Sequence, residues 1–372
     1  MSLLAPARVN APIERLEVHA FRVPTEGGPE SDGTIVWDAT TLVLVEVTAG
    51  DVTGIGYTYA DVASARVILD TLRDIVVGGD ALYNGELWVK MSASVRNLGR
   101  DGVTSMAISA VDVALWDLKG KLLGQPVCAL LGMARAEVPI YGSGGFTSYD
   151  IPKLQAQLSG WADAGIPRVK MKIGRAPAQD LKRVAAARAA IGNAELFVDA
   201  NGAYSRKQAL EFGHAFVAYG VAWYEEPVYH EDFQGLALLR NAAPASMEIT
   251  SGEYGYGLYH FGRMLDAQTV DVLQADATRC GGFSGLLAVD GLCQTKMIPL
   301  STHCAPYLHL HAGAALKSLR HMEYFFDHAR IEKMFFDGIP EQKNGTLAPD
   351  LDRPGIGLEF RCADALQYEV SL

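Results

Sequence analysis

The last two thirds of the chain alternate between strand patterns and amphipathic helix patterns, beginning at Val138. Short apolar and β-branched runs recur roughly every 20 to 30 residues, with helical patterns between them. These runs are VPIYGSG, RVKMKIG, ELFVDAN, AWYEEP, MEITSGE, VDVLQAD, IPLSTH and HMEYF. Because strands that alternate with helices pair in parallel, the pattern predicts an α/β fold, and the number of runs is that of a TIM-type (β/α)8 barrel.

The residues before the barrel predict a separate α+β domain. A strand near 13–23 and a hairpin-like pair, TLVLVEV and TGIGYTYAD, precede helical patterns at 63–77, 85–98 and 103–123. The glycine-rich segment 24–33 is expected to be a mobile loop. Within the barrel, helices are predicted at 151–164, 181–191, 205–219 and 284–293, with Ser205 as an N-cap. We expect domains at 1–134 and 135–342, and a C-terminal return over 343–372 that packs on the first domain.

Composition excludes several classes of partner. The chain of 372 residues is 49% hydrophobic and carries a formal net charge of −11, with a pI near 5.3. Nucleic acids and anionic membranes both favour a basic face, so neither is expected as a partner. No apolar run reaches the ~18 residues of a membrane span, and the N-terminus lacks a secretory pattern, which favours a cytoplasmic protein.

The cysteines favour reduced thiols. Five are present, widely spread and without a CxxC pair: Cys128, Cys280, Cys293, Cys304 and Cys362. This pattern argues against a disulfide framework or structural zinc. Cys304 follows His303 and has the chemistry of a nucleophile, although packing is the commoner role of such a cysteine.

Nearly every strand pattern ends on a residue that can do chemistry. These residues are Lys172, Asp199, Glu225, Glu253, Asp276, His303 and Glu323. In a barrel the carboxyl ends of the strands form one mouth, so the side chains are expected to converge there.

Three successive strand patterns end on the carboxylates Asp199, Glu225 and Glu253. Three anionic groups in a partly buried mouth would repel one another unless a cation neutralised them, and all-oxygen ligation suits Mg2+. Any one of these acids could instead be a solvated loop charge or a helix N-cap. Glu226 is expected to point to the opposite side by strand alternation and to be a structural partner.

Lys170 and Lys172 lie on the same face of one strand because strand side chains alternate with period two. A neighbouring ammonium and a nearby Mg2+ both disfavour protonation, which predicts a lowered pKa for Lys172 and a role as a base. Lys170 would supply the repulsion and hold a substrate oxygen. In the alternative reading, both side chains reach solvent along their flexible stems.

His303 and Asp276 end adjacent strand patterns. A carboxylate that accepts a hydrogen bond from one imidazole nitrogen orients the ring and raises its basicity. The pair therefore predicts a second acid/base group across the mouth from Lys172. His309, His311 and His321 are expected to be packing residues.

These residues together resemble the enolase superfamily, and within it the mandelate racemase-like subgroup, over nearly the whole chain, including MAISAVDVALWDLKGKLLGQPVCALLG. The resemblance implies a modified (β/α)7β barrel, an N-terminal capping domain and a homo-oligomer. It implies that Asp199, Glu225 and Glu253 bind Mg2+ and that the second lysine of the KxK pair is the base. Asp276 and His303 match the subgroup's dyad, and Glu323 matches the acid that holds the enolate oxygen.

The activity implied is removal of the proton α to the carboxylate of a small-molecule substrate. Dehydration of a sugar acid to a 2-keto-3-deoxy acid is favoured, with a racemase, epimerase or cycloisomerase as the alternative. Arg279 stands where the subgroup often has lysine, and CAPYLHLHAG differs from mandelate racemase, which argues against mandelate. The loop 26–37 offers Glu30, Asp32 and Trp37 to a polyhydroxylated substrate. Without an obvious arginine at a strand end, an aldonic acid is favoured slightly over an aldaric one.

Two other classes of protein fit the sequence less well. A metal-dependent hydrolase barrel would show an HxH motif at the end of its first strand, where this chain has YGSGG. A binding protein on the same scaffold would be expected to lose its base or a metal ligand, and all are present.

Overall fold

A computed structural model of the protein describes residues 10–372. The N-terminal domain contains an antiparallel sheet in the order β1-β4-β5 and a small hairpin, β2-β3. The strands are β1 Arg15–Pro24, β2 Glu30–Ser31, β3 Val36–Trp37, β4 Ala39–Ala49 and β5 Val52–Tyr59. The helices are α1 Ala63–Val67, α2 Arg73–Val76, α3 Asn84–Ser94, α4 Val103–Leu123 and α5 Val127–Leu130. A π-helical turn, Ile68–Leu72, joins α1 to α2, so the helix predicted at 63–77 is interrupted.

Two glycines on β5 explain how α4 packs so closely on the sheet. A Cβ at Gly56 would lie 2.2 Å from the backbone oxygen of Ala110, and one at Gly54 would lie 2.4 Å from the backbone nitrogen of Leu118. The helix ends as predicted, at Gly124, whose φ of 61° is a left-handed conformation that glycine adopts without strain.

Eight parallel strands form a closed barrel, in which the last strand pairs with the first. They are β6 Val138–Gly144, β7 Arg168–Lys172, β8 Glu195–Asp199, β9 Val221–Glu225, β10 Glu248–Ser251, β11 Val272–Ala275, β12 Leu300–Thr302 and β13 Leu319–Phe325. Every predicted strand is therefore present, and the TIM-type barrel is confirmed.

Seven helices connect these strands in turn. They are α6 Ile151–Asp163, α7 Pro177–Ala190, α8 Arg206–Phe216, α9 Phe233–Ala242, α10 Leu258–Asp266, α11 Gly282–Lys296 and α12 Pro306–Ala315. The eighth strand is followed by α13, Phe326–Phe335, which leads into the C-terminal segment, so the (β/α)7β form is confirmed. Ser205 caps α8 as predicted, because its hydroxyl accepts from the backbone N–H of Gln208.

A layer of rings fills the barrel interior below the mouth. Phe197 and Trp223 stack with their ring centroids 5.0 Å apart, and Tyr141 and His321 pack against both. Asp199 and Glu225 follow Phe197 and Trp223 by two residues, so period-two alternation places them on the same inner face, one step nearer the mouth. The apolar layer thus forms the floor under the polar strand ends.

The C-terminal segment contacts both domains. It contains β14 Phe336–Asp337, β15 Thr346–Leu347, β16 Glu359–Phe360 and α14 Cys362–Ala365. Strand β15 pairs antiparallel with β6 of the barrel, and the backbone N–H of Val370 donates to Ala20 on β1. The predicted domain limits at 134 and 342 stay predictions.

Side chains on β5 attach the N-terminal domain to the barrel. The hydroxyl of Tyr57 donates to Glu332 on α13 at 2.6 Å, and the ring of Tyr59 stacks on His328 with centroids 3.4 Å apart. These contacts hold the edge of the N-terminal sheet beside the barrel mouth. None of the helices in the described part of the chain has the length and apolar character needed to span a membrane.

Candidate active site

Three buried carboxylates meet at the barrel mouth. Asp199 and Glu225 are the last residues of β8 and β9, and Glu253 lies two residues after β10. One carboxylate oxygen of each lies within 4.8 Å of those of the other two. The convergence expected from the strand pattern is therefore present, although a hydrogen-bonded structural cluster would also bring acids together.

The bonding of these carboxylates suits a cation. Oε2 of Glu253 is buried and accepts no hydrogen bond from the described residues, and Nε2 of His303 lies 3.4 Å from it. An anionic oxygen left in this way is costly unless a ligand completes its bonding. Oxygen-only ligation by Asp199, Glu225 and Glu253 matches the preference of Mg2+, so these residues fit that ion.

Both lysines of β7 are buried, which rules out the reading in which they reach solvent. Nζ of Lys170 lies 2.5 Å from Oε1 of Glu225, 2.8 Å from Oε1 of Glu323 and 3.6 Å from Asp199. Lys170 thus lies beneath the mouth and links carboxylates from three strands. Lys172, one pleat repeat closer to the mouth, donates to Asp199.

The protein's own groups raise the pKa of Lys172, whereas the sequence predicts a lowered pKa from Lys170 and Mg2+ together. Burial lowers this pKa, but the carboxylates of Asp199, Glu253 and Glu225 together raise it above its ordinary value. Lys170 opposes them, as expected, but its effect is smaller. The repulsion between two ammonium groups therefore does not decide the charge of Lys172, because each has a carboxylate partner.

Glu323 is held as an ionised carboxylate. Oε1 accepts from the hydroxyl of Ser143 at 2.6 Å, and Oε2 accepts from the backbone N–H of Cys304 at 2.7 Å. Burial raises the pKa of Glu323, but Lys170 and His303 outweigh it and hold the pKa well below its usual range. Sequence reasoning missed Ser143, which is the next-to-last residue of VPIYGSG, a segment without a recognisable motif.

Cys304 lacks the properties of a nucleophile. Burial and the neighbouring Glu323 raise the pKa of its thiol well above the ordinary value, which keeps the sulfur protonated. Its Sγ lies 3.2 Å from Nε2 of His303. The backbone at Cys304 has a φ of 51°, and this turn directs its N–H to Glu323.

His303 and Asp276 form the expected pair. Nδ1 of His303 lies 2.8 Å from Oδ2 of Asp276, and the other carboxylate oxygen accepts from the backbone N–H of Thr278 at 2.7 Å. Because the ionised carboxylate can only accept, Nδ1 carries the hydrogen, and Nε2 faces Glu253. Burial lowers the pKa of His303, but Glu253 and the bond to Asp276 raise it above its ordinary value.

Arg279 connects the third carboxylate to this pair. Its Nη1 donates to the backbone oxygen of Glu253 at 3.1 Å and lies 3.5 Å from Oε1 of the same residue. Its Nε lies 3.8 Å from Oδ2 of Asp276, and the guanidinium lies over the ring of Tyr254. Arg279, which stands where the subgroup often has lysine, is therefore part of the site's charge balance.

The histidines expected to pack are buried. His309 donates from Nδ1 to the backbone oxygen of Ala305 at 3.0 Å, and its Nε2 accepts from the backbone N–H of Ala277 at 2.8 Å, so it packs beside Asp276 without donating to it. His311 accepts from a backbone N–H, and His321 bonds Ser301.

Glu226 departs from the alternation expected of a strand. It lies one residue past the end of β9, and its φ of 37° is left-handed. Its carboxylate accepts from the hydroxyl of Ser251 at 3.2 Å. Burial and then Glu253 raise the pKa of Glu226 well above its usual value. Alternation therefore does not set its direction, and its structural role stays a prediction.

A cavity of about 360 Å³ lies over these groups, between the barrel and the N-terminal domain. Barrel residues that line it include Lys172, Asn201, Glu253, Tyr254, Arg279 and His303. Lining residues of the N-terminal domain include Asp32, Trp37, Thr40, Thr41, Tyr59 and Asp61. Of the latter, sequence reasoning singled out only Asp32 and Trp37, because the others lie in strands and turns without a motif.

The segment expected to be a mobile loop includes part of the hairpin β2-β3, which is docked on the barrel. The backbone N–H of Thr147 donates to Ser31 at 2.8 Å, and the hydroxyl of Thr147 donates to the backbone oxygen of Asp32 at 2.8 Å. Glu30, the third loop candidate, is buried beside Tyr149 and is not among the residues that line the cavity. Burial raises the pKa of Glu30 to about 8.

Gly33 allows this hairpin to lie against the strand ends. A Cβ there would be 2.2 Å from the backbone oxygen of Ala200 and 2.7 Å from that of Ile173. We expect Gly33→Ala to displace the hairpin and raise KM about tenfold or more, since small misplacements around a site are costly. Steady-state kinetics would measure this. Gly85→Ala, where a Cβ meets nothing within 4 Å, is the control and should behave as the wild type; equal KM values for the two variants would contradict the prediction.

Comparison with known proteins places this arrangement in a family. An enolase C-terminal domain-like model matches residues 153–365, and the model of the mandelate racemase / muconate lactonizing enzyme N-terminal domain matches residues 17–132. The D-galactarolactone cycloisomerase of Agrobacterium fabrum is 30% identical over 357 residues, which cover 91% of this chain and 93% of that protein.

Solved structures support the same family. A mandelate racemase/muconate lactonizing enzyme-like protein from Rubrobacter xylanophilus has a TM-score of 0.94 at 53% identity, covering 96% of this chain and all (100%) of that chain. The L-talarate/galactarate dehydratase of Salmonella typhimurium, crystallised with Mg and L-lyxarohydroxamate, has a TM-score of 0.90 at 26% identity. The match covers 100% of this chain and 96% of that chain. The chain therefore belongs to the enolase superfamily, in its mandelate racemase-like subgroup.

Proposed function

We propose that the protein is a Mg2+-dependent acid-sugar dehydratase. It removes the proton α to the substrate carboxylate, passes through an enediolate and expels the β-hydroxyl, giving a 2-keto-3-deoxy acid. The observation that carries this proposal is one cavity lined by Lys172 and His303, in which Lys172 bonds Asp199 and the aspartate-paired His303 lies 3.4 Å from Glu253 of the three-carboxylate cluster.

Asp199, Glu225 and Glu253 would hold the Mg2+. When bound, the ion would supply positive charge where negative charge develops on the substrate carboxylate. Structures of relatives with bound magnesium, such as the Salmonella dehydratase, support this choice of ion. Lys170, whose ammonium group lies 2.8 Å from Glu323, would hold a carboxylate or enediolate oxygen of the substrate. Glu323 would donate a hydrogen bond to that oxygen only in its protonated form.

Lys172 would accept the α-proton. A carboxylate engaged with a cation is a weaker partner for an ammonium group, so ligation by Asp199 would lower the pKa of Lys172 from its present raised value. A lysine that loses its proton in this way can act as a general base near neutral pH.

His303 would protonate the departing hydroxyl. The hydrogen bond between Nδ1 and Asp276 favours the protonated form of His303 and fixes the ring so that Nε2 faces the reacting groups. As the Cβ–O bond breaks, the electron pair of the enediolate forms a double bond between Cα and Cβ, and the protonated hydroxyl leaves as water. The resulting enol then tautomerises to the 2-keto acid.

A racemase, epimerase or cycloisomerase is the second candidate. If His303 returns a proton to the α-carbon from the face opposite Lys172, the same residues invert that centre instead of expelling water. The 30% identity to a cycloisomerase favours keeping this alternative. Homo-oligomerisation and a cytoplasmic location stay predictions.

The test is incubation with Mg2+ and a panel of mono- and dicarboxylic sugar acids, with semicarbazide detection of 2-keto acids and proton NMR in D2O. Dehydration predicts keto acid from one or a few members. His303→Asn should then lose keto acid formation while it retains exchange of the α-proton for deuterium. Exchange without keto acid in the wild type would favour the racemase, and keto acid that persists after Mg2+ is chelated would contradict the proposal.

A further inference from the structure

The cationic side chains that line the cavity lie on its barrel wall, together with the carboxylate of Glu253. Lys172 and Arg279, on the barrel wall, are its ammonium and guanidinium groups. The wall formed by the N-terminal domain carries the carboxylates of Asp32 and Asp61, and no lysine or arginine from the described part of that domain lines it. A substrate carboxylate is therefore drawn to the barrel wall, and the opposite end of the substrate faces negative charge.

Arg279 is not free to bind a second substrate carboxylate at the far wall. Its Nη1 donates to the backbone oxygen of Glu253, and its Nε lies 3.8 Å from Asp276. Both partners belong to the reacting end of the cavity, so the guanidinium is oriented toward that end.

Asp32 is a fixed acceptor on the far wall. Its Oδ1 accepts from the backbone N–H of Thr34 at 2.6 Å, the backbone N–H of Ile35 at 2.8 Å and the hydroxyl of Thr34 at 3.3 Å. The side chain is 6% exposed, and its other oxygen makes none of these bonds. Asp61 is similar at the rim, where Oδ1 accepts from the backbone N–H of Ala63 at 2.9 Å.

The remaining polar lining of the far end is neutral. Thr41 contributes a hydroxyl. The Nδ1 of His328, another cavity residue, accepts from the backbone N–H of Ala305 at 3.3 Å, so its Nε2 carries a hydrogen. Burial lowers the pKa of His328 well below its ordinary value, so the ring is a neutral donor. Carboxylate acceptors beside neutral donors suit hydroxyl groups, which can both donate and accept.

We infer that the wall built by Asp32 and Asp61 is a subsite for an uncharged, hydroxyl-bearing tail, so that the substrate is an aldonate-type monocarboxylate and not an aldarate. The inference rests on the proposed function. A hydroxyl at the tail donates a charge-assisted hydrogen bond to Asp32, whereas a second carboxylate there meets like charge without a cation to offset it.

The experiment is calorimetric binding in the presence of Mg2+, with pairs of sugar acids of the same configuration that differ only in a terminal CH2OH or carboxylate. D-galactonate with galactarate and D-gluconate with D-glucarate are two such pairs, within a panel of pentonic and hexonic acids. The wild type should bind its best aldonate about 100-fold more tightly than the matched aldarate. Asp32→Asn should reduce that ratio about tenfold or more. Asp38→Asn removes the same charge from an exposed side chain that pairs with Arg22, and should leave the ratio unchanged.

Each outcome bears on the inference. An aldarate bound as tightly as its aldonate, or an unchanged ratio in Asp32→Asn, would overturn it, as would the absence of binding by every acid. Keto acid production by the wild type is measured separately with the same compounds. If an aldarate is bound and dehydrated, the subsite inference fails while the proposed dehydratase function stands. If aldonates bind selectively without keto acid or deuterium exchange, the subsite stands and the dehydratase proposal fails.

Discussion

Replacing Lys172 with methionine is expected to lower the rate of α-proton exchange by about 10²- to 10⁴-fold, the usual contribution of a positioned general base. Methionine keeps much of the length and apolar stem of lysine but cannot accept a proton. Lys172 is 5% exposed and bonded to Asp199, and it is the only lysine among the described residues that line the cavity. Exchange of the α-proton in D2O, followed by proton NMR, measures the proposed step directly.

The control for this variant is Lys182→Met, which removes an exposed lysine from α7, the helix that follows the same strand. It should exchange at the wild-type rate. Circular dichroism and the midpoint of thermal unfolding would establish that Lys172→Met is folded. A folded Lys172→Met protein that retains full exchange would assign the base elsewhere, with His303 as the first candidate.

The second large effect is expected from Glu253→Gln. The amide lacks the negative charge of the carboxylate whose Oε2 accepts no hydrogen bond from the described residues. Loss of one anionic ligand should weaken Mg2+ binding about tenfold or more and lower the keto acid rate about 100-fold, because a metal ion supplies several kcal/mol of charge stabilisation. Calorimetric titration with Mg2+ and rates measured over a range of Mg2+ concentrations would test both.

Glu332→Gln is the matched control for a buried acid outside the cluster. Glu332 accepts from Tyr57 on the N-terminal domain and does not line the cavity. Its variant should keep the wild-type affinity for Mg2+. Treatment with EDTA should inactivate the wild type, and added Mg2+ should restore it. Unaltered Mg2+ affinity in Glu253→Gln would remove Glu253 from the proposed ligands.

The barrel was predictable because its evidence is local and repeated. Each strand is a short apolar run with a helix pattern after it, and period-two alternation carries Phe197 and Asp199, or Trp223 and Glu225, to the same inner face. The convergence of the strand-end groups then follows from closure of the sheet. The pairing of His303 with Asp276 was predictable for the same reason, since their strands are neighbours in sequence and in space.

The charge of Lys172 was not predictable in this way. Its one lysine neighbour in the pattern, Lys170, lies two residues away on the same strand, but the carboxylates that outweigh Lys170 come from other strands, at distances that the sequence does not state. The direction of Glu226 could not be deduced from alternation, because alternation ends where the backbone enters a left-handed conformation. Ser143 and His328 lacked any motif and were recognised only from their contacts with Glu323 and the cavity.

The sequence by itself determined the barrel, the residues at its mouth and the family, because each depends on local periodicity and on which side chain follows each strand. Only the tertiary structure decided which groups of the N-terminal domain face that mouth. Asp32 and Asp61 come from turns of a different domain. The position of Asp32 depends on the docking of the β2-β3 hairpin through Ser31 and Gly33, and that of Asp61 depends on the attachment of β5 to the barrel through Tyr57 and Tyr59. The charge balance of the site and the shape of the cavity both depend on groups that are distant in sequence. They are therefore set only when the two domains pack together.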